Sequence, residues 1–74
     1  MTDSVAELLR YVRASERIIP ITRALRLTVD LCGDVREVAP ELGPELDAVI
    51  ERATESLEHL GAAVTVLTAK AELA

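Results

Sequence analysis

Phenylalanine and tryptophan are absent from this chain, and Tyr11 is its only aromatic residue. Any core must therefore be built from Leu, Val, Ile and Ala, a palette suited to closely packed helices. Cys32 is the only cysteine, so no internal disulfide is possible and nothing points to an oxidising compartment. Cys32 and His59, the lone histidine, cannot by themselves supply a structural zinc set. The glycines, Gly33, Gly43 and Gly61, lie too far apart to form a phosphate-cradling loop. Long hydrophobic runs are missing as well. The longest uncharged stretch, Leu60–Ala69, has ten residues, about half of a membrane span. No basic region followed by an apolar run opens the sequence, so a soluble, cytoplasmic protein is the expectation.

What is present is aliphatic residue. Half of the 74 residues are hydrophobic, well above the level at which chains fail to collapse. The length allows a single domain, residues 1–74. A domain this small buries only about 60% of the surface its unfolded chain exposes. With no disulfide or metal to staple it, oligomerisation is the remaining route to stability.

Ser4 followed three residues later by Glu7 has the form of a capping box and predicts a helix start. Val5, Leu8, Val12, Ser15 and Ile19 then recur at spacings of three and four, the period of a helix and not of a strand. Pro20 interrupts, because proline removes a backbone donor and crowds the preceding turn. Beyond it the pattern restarts in a shifted phase: Ile18, Ile21, Leu25, Thr28, Cys32, Val35, Ala39, Leu42. No Gly, Asn or Asp stands near Pro20 to reverse the chain, which favours a kink over a corner. Gly33 costs about 1 kcal/mol relative to alanine inside such a helix, and a helix end near Cys32 is the competing reading. The run Ala39-Pro40-Glu41-Leu42-Gly43-Pro44 ends one helix and begins another. Helices are thus expected at about 4–19, 20–39 and 44–73, with the turn at 39–44.

The last helix is the clearest. Leu46, Ile50, Ala53, Leu57, Leu60, Val64, Leu67 and Ala71 follow an unbroken alternation of four and three, the seam of a coiled coil or bundle helix. The flanking positions are Asp47, Thr54, Gly61 and Thr68 on one side, and Val49, Ser56, Ala63 and Lys70 on the other. Flanks that are mostly small and neutral make a wide buried stripe, suited to packing between several neighbours. The expected fold is all-α: a long helical hairpin whose first arm is kinked or broken at Pro20, paired into a homo-oligomeric, dimeric four-helix bundle. A three-helix monomer with a true turn at Pro20 is the alternative. Leu46, Ile50, Leu57, Leu60, Val64 and Leu67 are the candidate self-association residues.

Charge is divided unevenly. Residues 1–29 hold five arginines against three acids, and residues 30–74 hold ten acids against three bases, which together give the net charge of −5. Arg10, Arg13, Arg17, Arg23 and Arg26 fall opposite the apolar stripe of the first arm. In an antiparallel hairpin Arg26 lies beside Glu58, where a pair is possible. Arg10, Arg13 and Arg17 lie beside the uncharged Leu60–Ala69 stretch. They read either as a solvated face whose aliphatic stems cover apolar surface or as a docking face for an acidic partner protein. Nucleic acid is a poor fit, because the chain is acidic and nearly lacks stacking residues. The exposed carboxylates Asp47, Glu51, Glu55 and Glu58 offer phosphate mimicry as a further, weaker reading.

No catalytic chemistry is indicated. Glu55 and His59 are four residues apart with Glu58 adjacent to the histidine, which is not the Glu-x-x-His pattern of bundle carboxylate sites. Cys32 occupies a core-like position and reads as a small hydrophobe. No metal, cofactor or membrane is expected. The sequence predicts a non-enzymatic protein–protein interaction module, acting as adaptor, assembly factor or inhibitor. The alternatives are a subunit or chaperone-like module completed by a different protein, or a regulator related to nucleic acid.

Overall fold

The computed structural model describes residues 2–74 and consists of two long helices joined by one tight turn. Helix α1 runs Thr2–Val38, and α2 runs Gly43–Leu73. A single 3₁₀ turn, Pro40–Leu42, links them. The fold is an all-α hairpin kinked at a proline.

Helix α1 passes through Pro20 without ending. The ring is exposed on the outer side of the helix, so the cost is confined to the lost N–H donor and the crowding that bends the helix. A corner at Pro20, and with it the three-helix monomer, is ruled out. The helix also begins no later than Thr2, so Ser4 lies inside it and does not cap it. It continues past Gly33 to Val38, which removes the helix end proposed near Cys32.

The phase shift read at Pro20 does not correspond to a change of packing face. The half-buried residues of α1 are Tyr11, Ser15, Ile18, Thr22, Leu25, Val29 and Cys32, spaced by four and three on both sides of the proline, with Ala14, Thr28 and Gly33 at their margin. Val5, Leu8, Val12, Ile19, Ile21 and Val35, several of them expected in the seam, are exposed instead. Packing selects the one face that stays continuous with α2. The larger aliphatic residues lie to either side of it.

Helix α2 follows its expected seam throughout. Leu46, Ile50, Leu57, Leu60, Val64, Leu67 and Ala71 are half-buried and Ala53 is buried. The turn follows from local chemistry. The Ala39 N–H donates to the Val35 carbonyl at 2.8 Å, and the Leu42 N–H donates to the Ala39 carbonyl at 3.0 Å. Pro40 and Pro44 occupy opening positions of their helical segments, where a missing donor costs nothing. Glu45 sits in the first turn of α2 and Lys70 in its last, each matched to the helix dipole. Arg36 Nη1 meets Asp47 Oδ1 at 2.8 Å across the turn, an exposed pair worth at most about 1 kcal/mol.

The product is a rod. Its Cα atoms span 59 × 15 × 12 Å with a radius of gyration of 17.1 Å, against about 11 Å for a compact domain of this length. Among the described residues only Ala53, 5% exposed, buries an apolar side chain.

Candidate interaction faces

Two helices side by side leave both flanks of their seam open, and the two flanks differ. On one flank lies a groove of about 370 Å³, lined by Ile18, Ile19, Thr22, Leu57, Leu60 and Val64, with Gly61, Arg23 and Arg26 among its walls. Gly61 is exposed, and an added Cβ there would meet nothing within 4 Å. The expected Arg26–Glu58 pair does not form. Among the described residues the ion pair is Arg36–Asp47, and Arg26 lines the groove beside Arg23.

The opposite flank is apolar over the turn-proximal half of α1. Ile21, Leu31, Val35 and Val38 are exposed there, Val38 to 87%. Ala24 and Thr28 complete their row. The Thr28 hydroxyl donates to the Ala24 carbonyl at 2.8 Å, which satisfies its polarity within the helix and leaves its methyl group on the surface. Val49, Ser56 and Ala63 of α2 lie on the same flank, with Arg52 and His59 between them. This face was not separated from the inner seam in the sequence, although Ile21, Thr28 and Val35 already stood in the same row as Ile18, Leu25 and Cys32.

At the open end of the hairpin, Tyr11 packs near Lys70, whose Nζ lies 5.9 Å from the ring centroid, within cation–π range. The Tyr11 hydroxyl donates to Glu7 Oε1 at 3.1 Å. That hydrogen bond, followed by slight desolvation and the Glu7 charge, raises the phenol pKa above 10.0 despite the opposing charge of Arg10. Glu7, Tyr11, Lys70, Leu73 and Ala74 line a smaller cleft of about 200 Å³ here.

The six residues expected to drive self-association, Leu46, Ile50, Leu57, Leu60, Val64 and Leu67, line the seam against α1 and remain half-buried. Arg10, Arg13 and Arg17 are exposed on α1 and make no ion pair among the described residues. Cys32 is a half-buried free thiol, and His59 is exposed on α2. No cluster of three or more metal-ligating side chains occurs among the described residues, and no described helix is long and apolar enough to cross a membrane. The chain matches no known protein family, no curated protein and no solved structure, so its functional reading rests on these faces.

Proposed function

We propose that this chain is a small non-enzymatic protein–protein interaction module that works as a self-associating helical bundle. One observation carries the reading. The hairpin exposes 5795 Å² of surface, whereas a compact monomer of its 8.0 kDa would expose about 4,450 Å². The excess of about 1,300 Å² exceeds the roughly 800 Å² per partner buried in an interface of standard size. A second hairpin is a sufficient cover, since the 59 × 15 Å face has a projected area of about 900 Å². Closing two hairpins on each other makes a four-helix bundle, in which Leu46, Ile50, Leu57, Leu60, Val64 and Leu67 face a shared interior.

Sedimentation equilibrium over a wide concentration range, read alongside helicity, tests this. A dimer or higher oligomer that loses helix on dilution is the expected result. A fully helical monomer at every concentration refutes self-association. An aggregated or poorly helical product would move the assignment to a subunit completed by a different protein.

A second reading concerns outside partners. That Arg10, Arg13 and Arg17 make no ion pair among the described residues favours an acidic protein docking there once the bundle has formed. Arg13→Glu with Arg17→Glu should keep helicity and mass while abolishing binding to an acidic bait such as a polyglutamate-bearing peptide. Unchanged binding would reject the patch.

A further inference from the structure

The two flanks of the hairpin carry opposite charge. One residue is about 100° around a helix, so in an antiparallel pair the rows that directly precede the seam share one flank and the rows that directly follow it share the other. The preceding rows hold Arg10, Arg17, Arg52, His59 and Lys70. Their acids are Glu45 and Glu7, and Glu7 is bonded to the Tyr11 hydroxyl. On the other flank α1 contributes Glu16, Asp30 and Glu37 with Arg23 and Arg26, and α2 contributes Asp47, Glu51, Glu58 and Glu72. The division also runs lengthwise. On the basic flank α1 is uncharged near the turn, at Thr28, Leu31, Val35 and Val38, and basic toward the open end. The acidic flank is the reverse: Asp30, Glu37, Asp47 and Glu51 crowd the turn, and Leu9, Val12, Ile19, Thr65 and Thr68 lie toward the open end.

We infer that the basic flank of one copy docks on the acidic flank of the next, with the two rods antiparallel and overlapped along their full length. The inference rests on the self-association proposed above and specifies its faces and register. Levels along the rod are set by Arg36 against Asp47 at the turn, Thr22 and Ile18 beside Leu60 and Val64, and Tyr11 beside Lys70 at the open end. Turning the second rod end for end on the flank lays α1 of one copy on α2 of the other. Arg10 then meets the partner's Asp47, and Arg52 meets the partner's Glu16. Arg17 and Lys70 come within about one turn of the partner's Glu51 and the partner's Glu37, a rise of about 5 Å that their long side chains cover. Val49 meets the partner's Val12, Ser56 the partner's Ile19, and Leu31 the partner's Thr68. Ala24 meets the partner's Gly61, a pair of small residues that leaves room for a Cβ. The partner's Glu58 falls beside Ile21 but is level with His59 and with the partner's Arg23, which offset its charge. The partner's Glu72 falls on Val35 at the end of the rod, where water reaches it.

The remaining pairings fail on charge or on apolar contact. Basic flank on basic flank sets Arg10 against the partner's Lys70 when the rods are parallel, and on the partner's Val35 when they are antiparallel. Acidic flank on acidic flank sets Asp30 against the partner's Glu51, or Glu16 against the partner's Asp30. Like charges so opposed cost affinity. Basic flank on acidic flank with parallel rods places Leu31 on the partner's Asp30 and Val38 on the partner's Glu37. Because the two docked faces differ, each pair keeps one free flank of each sign, and assembly continues past two copies.

The test uses the full-length chain and sedimentation over a wide concentration range. The unaltered chain should grow beyond a dimer as its concentration rises. Arg52→Glu and Glu16→Arg each reverse one exposed charge on one flank, and each should weaken association by about tenfold or more. Mixed one to one they should recover it to within about threefold, because each supplies the intact flank that the other lacks. Indifference to both reversals, no recovery on mixing, or a mass that stops at two copies would overturn the flank pairing while self-association stands. Chains that sediment as monomers throughout would overturn both. Arg17→Glu should lower mass as well; retained mass would leave that arginine to an outside partner and overturn its place here. Register is read in a Cys32→Ala background, where Val49→Cys chains mixed with Val12→Cys chains should join through a short bismaleimide and neither should join alone. A parallel stack brings Val49 to the partner's Asp47 and Glu51 instead, so oligomers that leave the two cysteines unlinked would overturn the antiparallel register.

Discussion

Replacing Gly33 and Gly61 with alanine should make the protein more stable, and the gain can be worked from the structure. Both glycines sit inside long helices, and an added Cβ at either meets no atom within 4 Å. Neither has a positive φ, so alanine is accommodated without strain. Each exchange then yields the helix-propensity difference, about 0.8–1 kcal/mol, part of it by restricting the unfolded chain. The two positions lie on different helices and share no partner, so the effects should add to about 2 kcal/mol. For a domain of this size that is a rise in Tm of about 8–16 °C. Thermal denaturation followed by circular dichroism measures it, at one fixed chain concentration because assembly contributes to apparent stability.

An unchanged or lowered Tm would refute the reasoning, since it would mean that the open space beside a glycine is filled in solution. The single variants locate the error. Gly61 belongs to the groove flank beside Arg23 and Arg26. Destabilisation by Gly61→Ala alone would therefore bring a second backbone to the groove.

Pro20→Ala should restore a helical hydrogen bond to the Glu16 carbonyl and relieve the crowded turn, worth about 3 kcal/mol less about 1 kcal/mol for the looser unfolded chain. A higher urea midpoint is expected, and a lower one would mean that the bend itself is required for packing. Leu60→Asp places a carboxylate on the half-buried seam and should cost about 2–4 kcal/mol; a variant with full helicity and unchanged mass would remove Leu60 from the core. Tyr11, the sole aromatic, reports its own titration by tyrosinate absorbance, with a midpoint above 10.0. Its folded pKa is raised, so the stabilisation from the Glu7 contact is complete below the unfolded value and is lost as pH rises through the folded one. Glu7→Ala should return the midpoint toward 10.0, and an unmoved midpoint would mean that the hydrogen bond is not held in solution.

The second helix was legible in full, because its eight seam positions are all apolar and the large aliphatic residues outside them, Val49, Val66 and Leu73, are too few to form a rival row. The turn was legible because two prolines and a glycine leave the backbone few options. The first helix misled for the converse reason. Its true seam includes Ser15 and Thr22, while Val12, Ile19 and Ile21 stand on the flanks. A reading that follows the largest aliphatic residues slips to one flank before Pro20 and to the other after it. The apparent phase shift records that slip. The capping signal at Ser4 failed because helix formation extends past it to Thr2. The Arg26–Glu58 pair does not form although both residues follow a seam position directly; Arg26 lines the groove instead.

The two arms therefore have different tasks. Helix α2 spends most of its apolar residues on one seam, leaving Val49, Val66 and Leu73 exposed, and removing α1 would expose that seam entirely. Helix α1 has apolar surface left after α2 is satisfied, in a row about 100° away. Apolar surplus, larger on α1 than on α2, explains why a hairpin with a regular, unbroken turn still buries no apolar side chain but that of Ala53 among the described residues. No rearrangement of two helices can cover both rows of α1 at once, because a single neighbour occupies only one side. In the proposed assembly that neighbour comes from outside the hairpin. If it is a second copy, the folded state is linked to chain concentration by mass action, and the quantity that sets its population is how much of the protein is present.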